Sequence, residues 1–479
     1  MLGSCTNHRS PPVSNETSET DTSYGDGLRG VADVDEARVW LNERNIQDIE
    51  CIVPDIAGVA RGKMMPTGKF FSGPVMTMPA SIFAQTISGD YPEDDDRFQH
   101  NPIDGDLYFR PDYQTLTSVP WETDPTAQLI HDAYTREGEP VETAPRNVLK
   151  RILGLYEAKG WEPVVAPEIE FYLVKPNTDP DYPLEPPTGR SGRPEVGRQS
   201  YSISALNEFD DLIDDIYDLS EKQGLEIDTM IHEEGAAQME INLRHGNPLA
   251  LADQVFLFKR TIREAALRHD MYATFMSKPM SNQPGSAMHI HQSVVDKETG
   301  ANIFSGENGE ETPAFLSFIA GHQQFLPYVT CIMAPFVNSY RRFAPSSAAP
   351  VNVYWGYDNR TVGLRVPYSS PQARRLENRV PGSDANPYLA LAASLACGYL
   401  GMIKGLTPDQ PQSGDCSEKQ KSLPRGLQEA VALFEENEDI REVFGNKFVQ
   451  TYRAIKQEEF ETFMSVISPW EREYLLLNV

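Results

Sequence analysis

Two short runs constrain the fold of this chain more than any others: VVAPEIEFYLV at 164–174 and AMHIHQSVV at 287–295. In each, ionisable side chains recur at every second position of an otherwise apolar stretch. Successive side chains of an extended strand point to opposite faces. Glu168 and Glu170 therefore share one face of the first strand, and His289, His291 and Ser293 share one face of the second. Two like charges on one face need a compensating cation or a solvated sheet surface. Two histidines in the same pattern suit a metal site or a polar groove.

Other segments add to the set. HEEGAAQMEIN contributes Glu233 and Glu240, separated by small residues that let the backbone turn sharply, and RRLENR places Glu377 between Arg375 and Arg379. Each alone reads equally as a surface salt-bridge cluster. Together, five carboxylates and a histidine suit magnesium or manganese better than zinc. Two such ions with arginines nearby suit a nucleotide and phosphoryl transfer. The chain has no G-x-x-x-x-G-K-[ST] loop and no kinase signature set, so another scaffold would hold the nucleotide.

Around these runs the pattern predicts an α+β protein. Residues 1–33 carry almost no apolar pattern and read as a disordered tail. VDEARVWLNERN reads as a helix with Val34, Ala37, Val39 and Leu41 near one side, and IQDIECIVPDIAGVARGKMMP as two strands around a turn at Gly58. APRNVLKRILGLYEAKG opens a helix with Val148, Ile152 and Leu155 on its apolar face, and the domain boundary is placed just before it. The domains expected are thus 34–143 and 144–479. Residues 408–424 read as a loop, and the chain from LQEAVALFEEN onward as helical.

Composition narrows the function. A formal charge of −28 argues against nucleic acid or an anionic membrane as partner, and favours metal ions and amines. The five cysteines, Cys5, Cys51, Cys331, Cys397 and Cys416, form no CxxC, which suits a reducing cytoplasm better than a zinc site or a disulfide framework. MLGSC lacks the preceding apolar stretch of a lipoprotein signal. LALAASLACGYLGMI at 389–403 is too short to span a bilayer and reads as a buried helix.

Eight blocks in order, PDIAGVARGK, EIEFYL, HEEGAAQMEINL, ATFMSKP, GSAMHIHQS, NSYRRFAP, NRTVGLRVP and RRLENRVPGSDANPYLALAA, make the chain resemble the glutamine synthetase family from about residue 35 to the end. Within that family NVLKRI, YLAL after DANP, and NSYRRF followed by W-G-x-x-NRT resemble the bacterial γ-glutamylpolyamine (glutamate–putrescine) ligases. The resemblance implies a small N-terminal β-grasp-like domain and a large catalytic domain with a curved antiparallel sheet. It also implies a homododecamer of two stacked hexamers with shared active sites. Two Mg2+ or Mn2+ ions per site are implied, one on Glu170, Glu233 and Glu240 and one on Glu168, His289 and Glu377. His291, Ser293 and Arg375 would lie along ATP, with Arg360 and Arg365 at its phosphates. Arg342, Arg379 and Gly285 would hold glutamate.

The implied reaction is attack of the glutamate γ-carboxylate on ATP, followed by displacement of phosphate by an amine. Arg360 would neutralise the phosphoryl oxygens, Arg342 would orient glutamate, and Asp55, from the adjacent subunit, would take the amine proton. Ala348 stands where the ammonium-using members carry a glutamate, which leaves room for an N-substituent. Trp355 and Tyr357, just beyond, are placed to flank an amine or to pack in the core. Putrescine or another polyamine is the first expectation. A monoamine such as an alkylamine or ethanolamine, then ammonium, and a catalytically dead homologue are the alternatives. Ala237, Ala287 and Pro284 depart from the family pattern around the glutamate pocket, and 404–451 holds no tyrosine for adenylylation.

Overall fold

The computed structural model describes residues 28–73, 75–93, 103–343, 349–417 and 423–479. A first sheet is built from β1 (Asp48–Pro54), β2 (Ala60–Pro66), β3 (Met76–Pro79), β4 (Asp106–Pro111), β5 (Thr117–Ser118) and β6 (Thr126–Tyr134), with helices α1 (Val34–Glu43) and α2 (Thr67–Ser72). Its order is β2-β1-β6-β4-β3, with β5 also on β6. β1 and β6 run parallel and the other pairs antiparallel. The β1–β2 hairpin turns through Gly58 at φ +79°, as its sequence predicts.

Two expectations about this part are corrected. Residues 28–33, read as part of a disordered tail, are joined to the first sheet and to α1: Gly30 N donates to Leu116 O and Asp33 caps α1 by accepting from the Asp35 and Glu36 amides. Residues 1–27 lie outside the described residues. The buried face of α1 is Ala37, Trp40 and Leu41, whereas Val34 and Val39 are exposed. Spacings of three and four follow the 3.6-residue turn, and Val39 falls off that stripe.

The second sheet carries β7 (Trp161–Val174), β8 (Thr229–His232), β9 (Gln238–Asn242), β10 (Tyr272–Thr274), β11 (Met288–Asp296), β12 (Trp355–Tyr357), β13 (Leu364–Val366) and β14 (Leu376–Asn378). The order is β12-β13-β14-β11-β7-β9-β8, with β10 on β7. It is antiparallel except for the β12–β13 pair at its edge. The helices are α3 (Pro145–Glu157), α4 (Ile203–Leu206), α5 (Asp210–Lys222), α6 (Pro248–Arg268), α7 (Pro313–Met333), α8 (Pro387–Lys404), α9 (Leu427–Glu436), α10 (Glu438–Phe444), α11 (Asn446–Met464) and α12 (Pro469–Leu475).

Alternation along β7 explains the layering. Val165, Ile169, Phe171 and Leu173 are buried in the large core to which α3 and α6 also contribute, which sends Glu168 and Glu170 to the opposite face. The apolar run 389–403 lies in α8, nearly all of it buried in that core, so it is a core helix.

The two sheets are tied by a buried cation. Arg146, at the start of α3, donates to Asp253 on α6 at 2.9 and 3.0 Å, to Asp132 on β6 at 2.6 Å and to Asp112 at 2.7 Å. A guanidinium removed from water is tolerable only with such partners. A second tie runs from Asn386, the N-cap of α8, whose Nδ2 donates to the Asp55 carbonyl at 2.8 Å.

Candidate active site

The face of the second sheet opposite α6 gathers the charged residues. The β7–β11 register sets His289 beside Glu168, and the β7–β9 register sets Glu240 beside Glu170. β14 then places Glu377 beside His291. All five strand residues expected as metal ligands therefore stand on neighbouring strands, and Glu233 joins them from the turn after β8.

Bonding within the set is specific. Arg375 Nε donates to His291 Nδ1 at 3.1 Å, so Nδ1 is the acceptor and the ring carries its proton on Nε2, which donates to Glu168 Oε1 at 2.9 Å. His289 Nδ1 lies 3.4 Å from Glu168 Oε2 and 4.0 Å from Glu377 Oε1. Arg379 donates to Glu377 Oε1 at 2.5 Å and Arg365 to Oε2 at 2.7 Å. Glu170 Oε2 accepts from Ala287 N at 2.8 Å and from Gln238 Nε2 at 3.1 Å.

Electrostatically the carboxylates divide in two. Burial alone would raise Glu377, but Arg379, His289, His291 and Arg365 outweigh it and hold its pKa at about 2. Burial is likewise overcome at Glu168 by the hydrogen bonds of His289 and His291, which hold it well below the usual range. At the other three the favourable partners do not offset burial. Burial, then the charge of Glu233, pushes Glu170 up to about 8. Burial, then Glu168, Glu170 and Glu233, pushes Glu240 up to about 9. Burial also raises Glu233, against the opposing charge of Arg360. Closely set, buried acids that resist ionisation are what a divalent cation relieves, and an oxygen-rich set with imidazole fits magnesium or manganese.

Donor atoms that stand within 4.8 Å of one another fall into two groups, Glu168–Glu240–His289 and Glu168–His291–Glu377. This partition differs from the one the sequence led us to expect. His291, assigned to ATP, lies in the second group. Glu170 and Glu233 lie in neither; one oxygen of Glu170 accepts from Gln238 and the Ala287 amide. Gln238 escaped the sequence reading, although it sits two residues before Glu240 on β9, and alternation alone puts it on the same face.

Beside the acids opens a cavity of 1110 Å³, whose lining includes Glu168, His291, Ser293 and Arg375 together with Arg244 and His245. The four residues first named were expected around the nucleotide side of the site. Arg365, also expected at the phosphates, is instead paired with Glu377 and with Asp358 Oδ1 at 2.5 Å. Arg360 is exposed.

The other residues singled out from the sequence are placed as follows. Arg342 is buried, and its Nη atoms donate to Val380 O at 2.7 Å and Arg379 O at 2.9 Å. These bonds tie it to the backbone at Arg379 and Val380, within electrostatic reach of Glu170. Gly285 allows that: a Cβ there would stand 2.6 Å from Arg342 Cγ and 2.8 Å from Ser277 O. Asp55 is fully buried, with Oδ1 accepting from Val59 N and Oδ2 from Arg61 Nε, both at 2.8 Å, so within its own chain it closes the β1–β2 turn.

Trp355 and Tyr357 do not line the metal side of the sheet. Both flank Gly356, which pairs with Arg365, so they lie on the opposite face from Arg365 and Glu377. Trp355 is core, its indole N–H donating to Asp409 O at 2.7 Å, and Tyr357 donates its hydroxyl proton to Glu311. Ala348 lies outside the described residues. Of the departures from the family pattern, Ala237 is buried at φ +55°, in the left-handed region that glycine favours.

Fold and site define a class. The chain belongs to the glutamine synthetase family: the glutamine synthetase catalytic domain matches residues 142–475. It is a carbon–nitrogen ligase, and enzymes of this family use ATP and divalent cations. It is 35% identical over 462 residues to the γ-glutamylputrescine synthetase PuuA of Escherichia coli, covering 94% of this chain and 96% of the relative. It is 33% identical over 447 residues to the glutamate–isopropylamine ligase of a Pseudomonas species, covering 91% and 96%. Among solved structures, GmaS in complex with ADP superposes with a TM-score of 0.77 at 28% identity, covering 91% of this chain and 98% of that one.

Proposed function

We propose that the chain joins the γ-carboxylate of glutamate to a primary amine, putrescine or another polyamine first, through γ-glutamyl phosphate. A γ-carboxylate oxygen attacks the terminal phosphorus of ATP and ADP leaves. The amine nitrogen then attacks the acyl carbon, phosphate leaves, and the amine proton passes to a base. The acidic face, with Glu168, Glu170, Glu233, Glu240, His289, His291 and Glu377, would hold two Mg2+ or Mn2+ ions, which when bound supply neutralising charge to the phosphoryl oxygens.

The protein's own groups do the rest. Ser293 and Arg375 line the cavity that would seat the nucleotide. Arg360 would meet the transferring phosphoryl group. Arg379 would take a glutamate carboxylate; its buried Nε has no hydrogen-bond partner among the described residues, and Arg342 holds its carbonyl. Asp55 would act at the site of an adjacent subunit, within a homododecamer in the cytoplasm. The chain would divide into domains near residue 143.

The observation that carries this reading is a buried set of acids that a cation would relieve, reaching a large cavity through Glu168 and His291, in a chain of this family. The choice of an organic amine over ammonium rests on Ala348 in place of a glutamate and on the names of the two amine-ligating relatives. The second of those relatives also favours a runner-up reading, a monoamine as nucleophile. The test is an amine panel with ATP, glutamate and Mg2+ held constant and phosphate release measured. Putrescine and polyamines should give the highest kcat/KM. A preference for ammonium over every organic amine would refute the proposal.

A further inference from the structure

Behind the metal-facing side of the sheet lies a fully buried polar knot. β11 and β14 pair over three positions only, Ile290–Asn378, His291–Glu377 and Gln292–Leu376. Alternation sends His291 and Glu377 to the site, and sends Gln292 and Asn378 to the other side, against α7 and α8. There Gln292 Nε2 donates to Ser394 Oγ on α8 at 2.8 Å and approaches His322 Nε2 on α7 to 2.8 Å. Asn378 Nδ2 donates to the same Ser394 Oγ at 2.9 Å. All four side chains are at most 1% exposed.

The protonation of the ring follows from its partners. His322 Nδ1 lies 2.9 Å from Phe318 O, which can only accept, so Nδ1 carries the proton and Nε2 accepts from Gln292. Burial pushes the pKa of this ring down to about 4, so it stays neutral. The two helices approach closely enough to build the knot because they meet at glycines. A Cβ on Gly321 would stand 2.2 Å from Cys397 O, and one on Gly401 2.1 Å from Ser317 O.

A buried hydrogen-bonded network fixes one arrangement of the elements it joins, even though Gln292 Oε1 has no hydrogen-bond partner among the described residues. What it joins is the strand with both histidines to the strand with Glu377. We propose that His322, acting with Ser394, is a positioning residue for the two-cation centre: it locks β14 against β11 and so sets how far His289 and His291 stand from Glu377. The inference rests on the metal-centre reading given above, and it concerns a residue that touches neither cation nor substrate.

The test uses the full-length protein and Mn2+ alone, without nucleotide, glutamate or amine, with free Mn2+ followed by electron paramagnetic resonance. Partners bonded directly to a metal ligand change affinity by about 10–100-fold when removed. The knot acts through the backbone, so His322→Leu should weaken Mn2+ binding by about three- to tenfold. His322→Gln, which can still accept from Gln292, should bind within about twofold of the wild type. Thermal melting run alongside checks folding; should His322→Leu fail to fold, Ser394→Ala removes the shared acceptor and carries the same expectation. A lowered melting temperature with unchanged Mn2+ affinity would make the knot merely structural and overturn the proposal. A wild-type protein that binds no Mn2+ would overturn the metal-centre reading itself, and this role with it.

Discussion

The divided electrostatics of the acid cluster predict how stability must respond to pH with and without a cation. In the cation-free fold Glu170 and Glu240 have pKa values raised from 4.5 to about 8 and about 9. Between pH 5 and 8 they keep their protons when folded and lose them when unfolded. At these two acids the folded state binds more protons, so their contribution to stability falls as pH rises through this window; His131, His289 and His322, held down to about 4, act in the opposite sense below about pH 6.5 whether or not a cation is bound. Each such group contributes about 1.4 kcal/mol per pH unit, and two contribute about 2.7. For 479 residues the unfolding entropy near the midpoint is about 1 kcal/mol/K, so these two acids should lower the melting temperature by about 3 °C per pH unit relative to the cation-saturated protein. A saturating divalent cation requires both acids ionised, which removes the proton difference and flattens the slope. The assay is thermal unfolding from pH 6 to 8 in a chelator and in excess Mg2+, with calorimetry in buffers of different ionisation enthalpy to count protons released on binding. Parallel pH profiles in the two conditions, or cation binding without proton release, would refute the reasoning.

Two substitutions test other parts of the site. Gly285→Ala should displace Arg342 and with it Arg379, raising KM for glutamate by at least about tenfold and destabilising the fold by about 1–3 kcal/mol, as overpacking does; steady-state kinetics and denaturant melts check both. Trp355→Phe should lower stability by about 2 kcal/mol, through the lost bond to Asp409 O and the smaller ring, and leave the ranking of amines unchanged. A changed ranking would return the indole to the amine pocket.

How far the sequence could be read depends on what kind of fact each residue expresses. Strand alternation needs no partner, so Glu168 with Glu170, and His289 with His291 and Ser293, fall on the faces that a two-residue period assigns. Strand pairing is a different matter. Trp355 and Tyr357, which follow Ala348 in the chain, could be read as flanking an amine or as core. Only the β12–β13 register, with Gly356 opposite Arg365, reveals that they look the other way. Arg342 and Asp55 fail to reach solvent for a related reason. A motif names the side chain but not the carbonyls of Arg379 and Val380, or the guanidinium of Arg61, that claim it. The helix α1 was misjudged by counting apolar residues rather than placing them at three- and four-residue steps.

The same division of charge says where the first cation goes. Glu168 and Glu377 are already stabilised as anions, one by hydrogen bonds to two imidazoles and the other chiefly by two guanidinium groups, so a cation arriving there must compete with partners in place. At Glu240 and Glu170 burial and neighbouring carboxylates outweigh the Asn242 bond of the one and the Ala287 amide, Arg342 and Arg379 beside the other, so a cation gains most beside them. The group Glu168–Glu240–His289 should therefore fill before Glu168–His291–Glu377. In the melting experiment the first equivalent of cation should erase most of the pH slope, and the second should add stability with little further change in slope. Equal changes from both equivalents would mean that the two groups share their protons, and that the division is not maintained in solution.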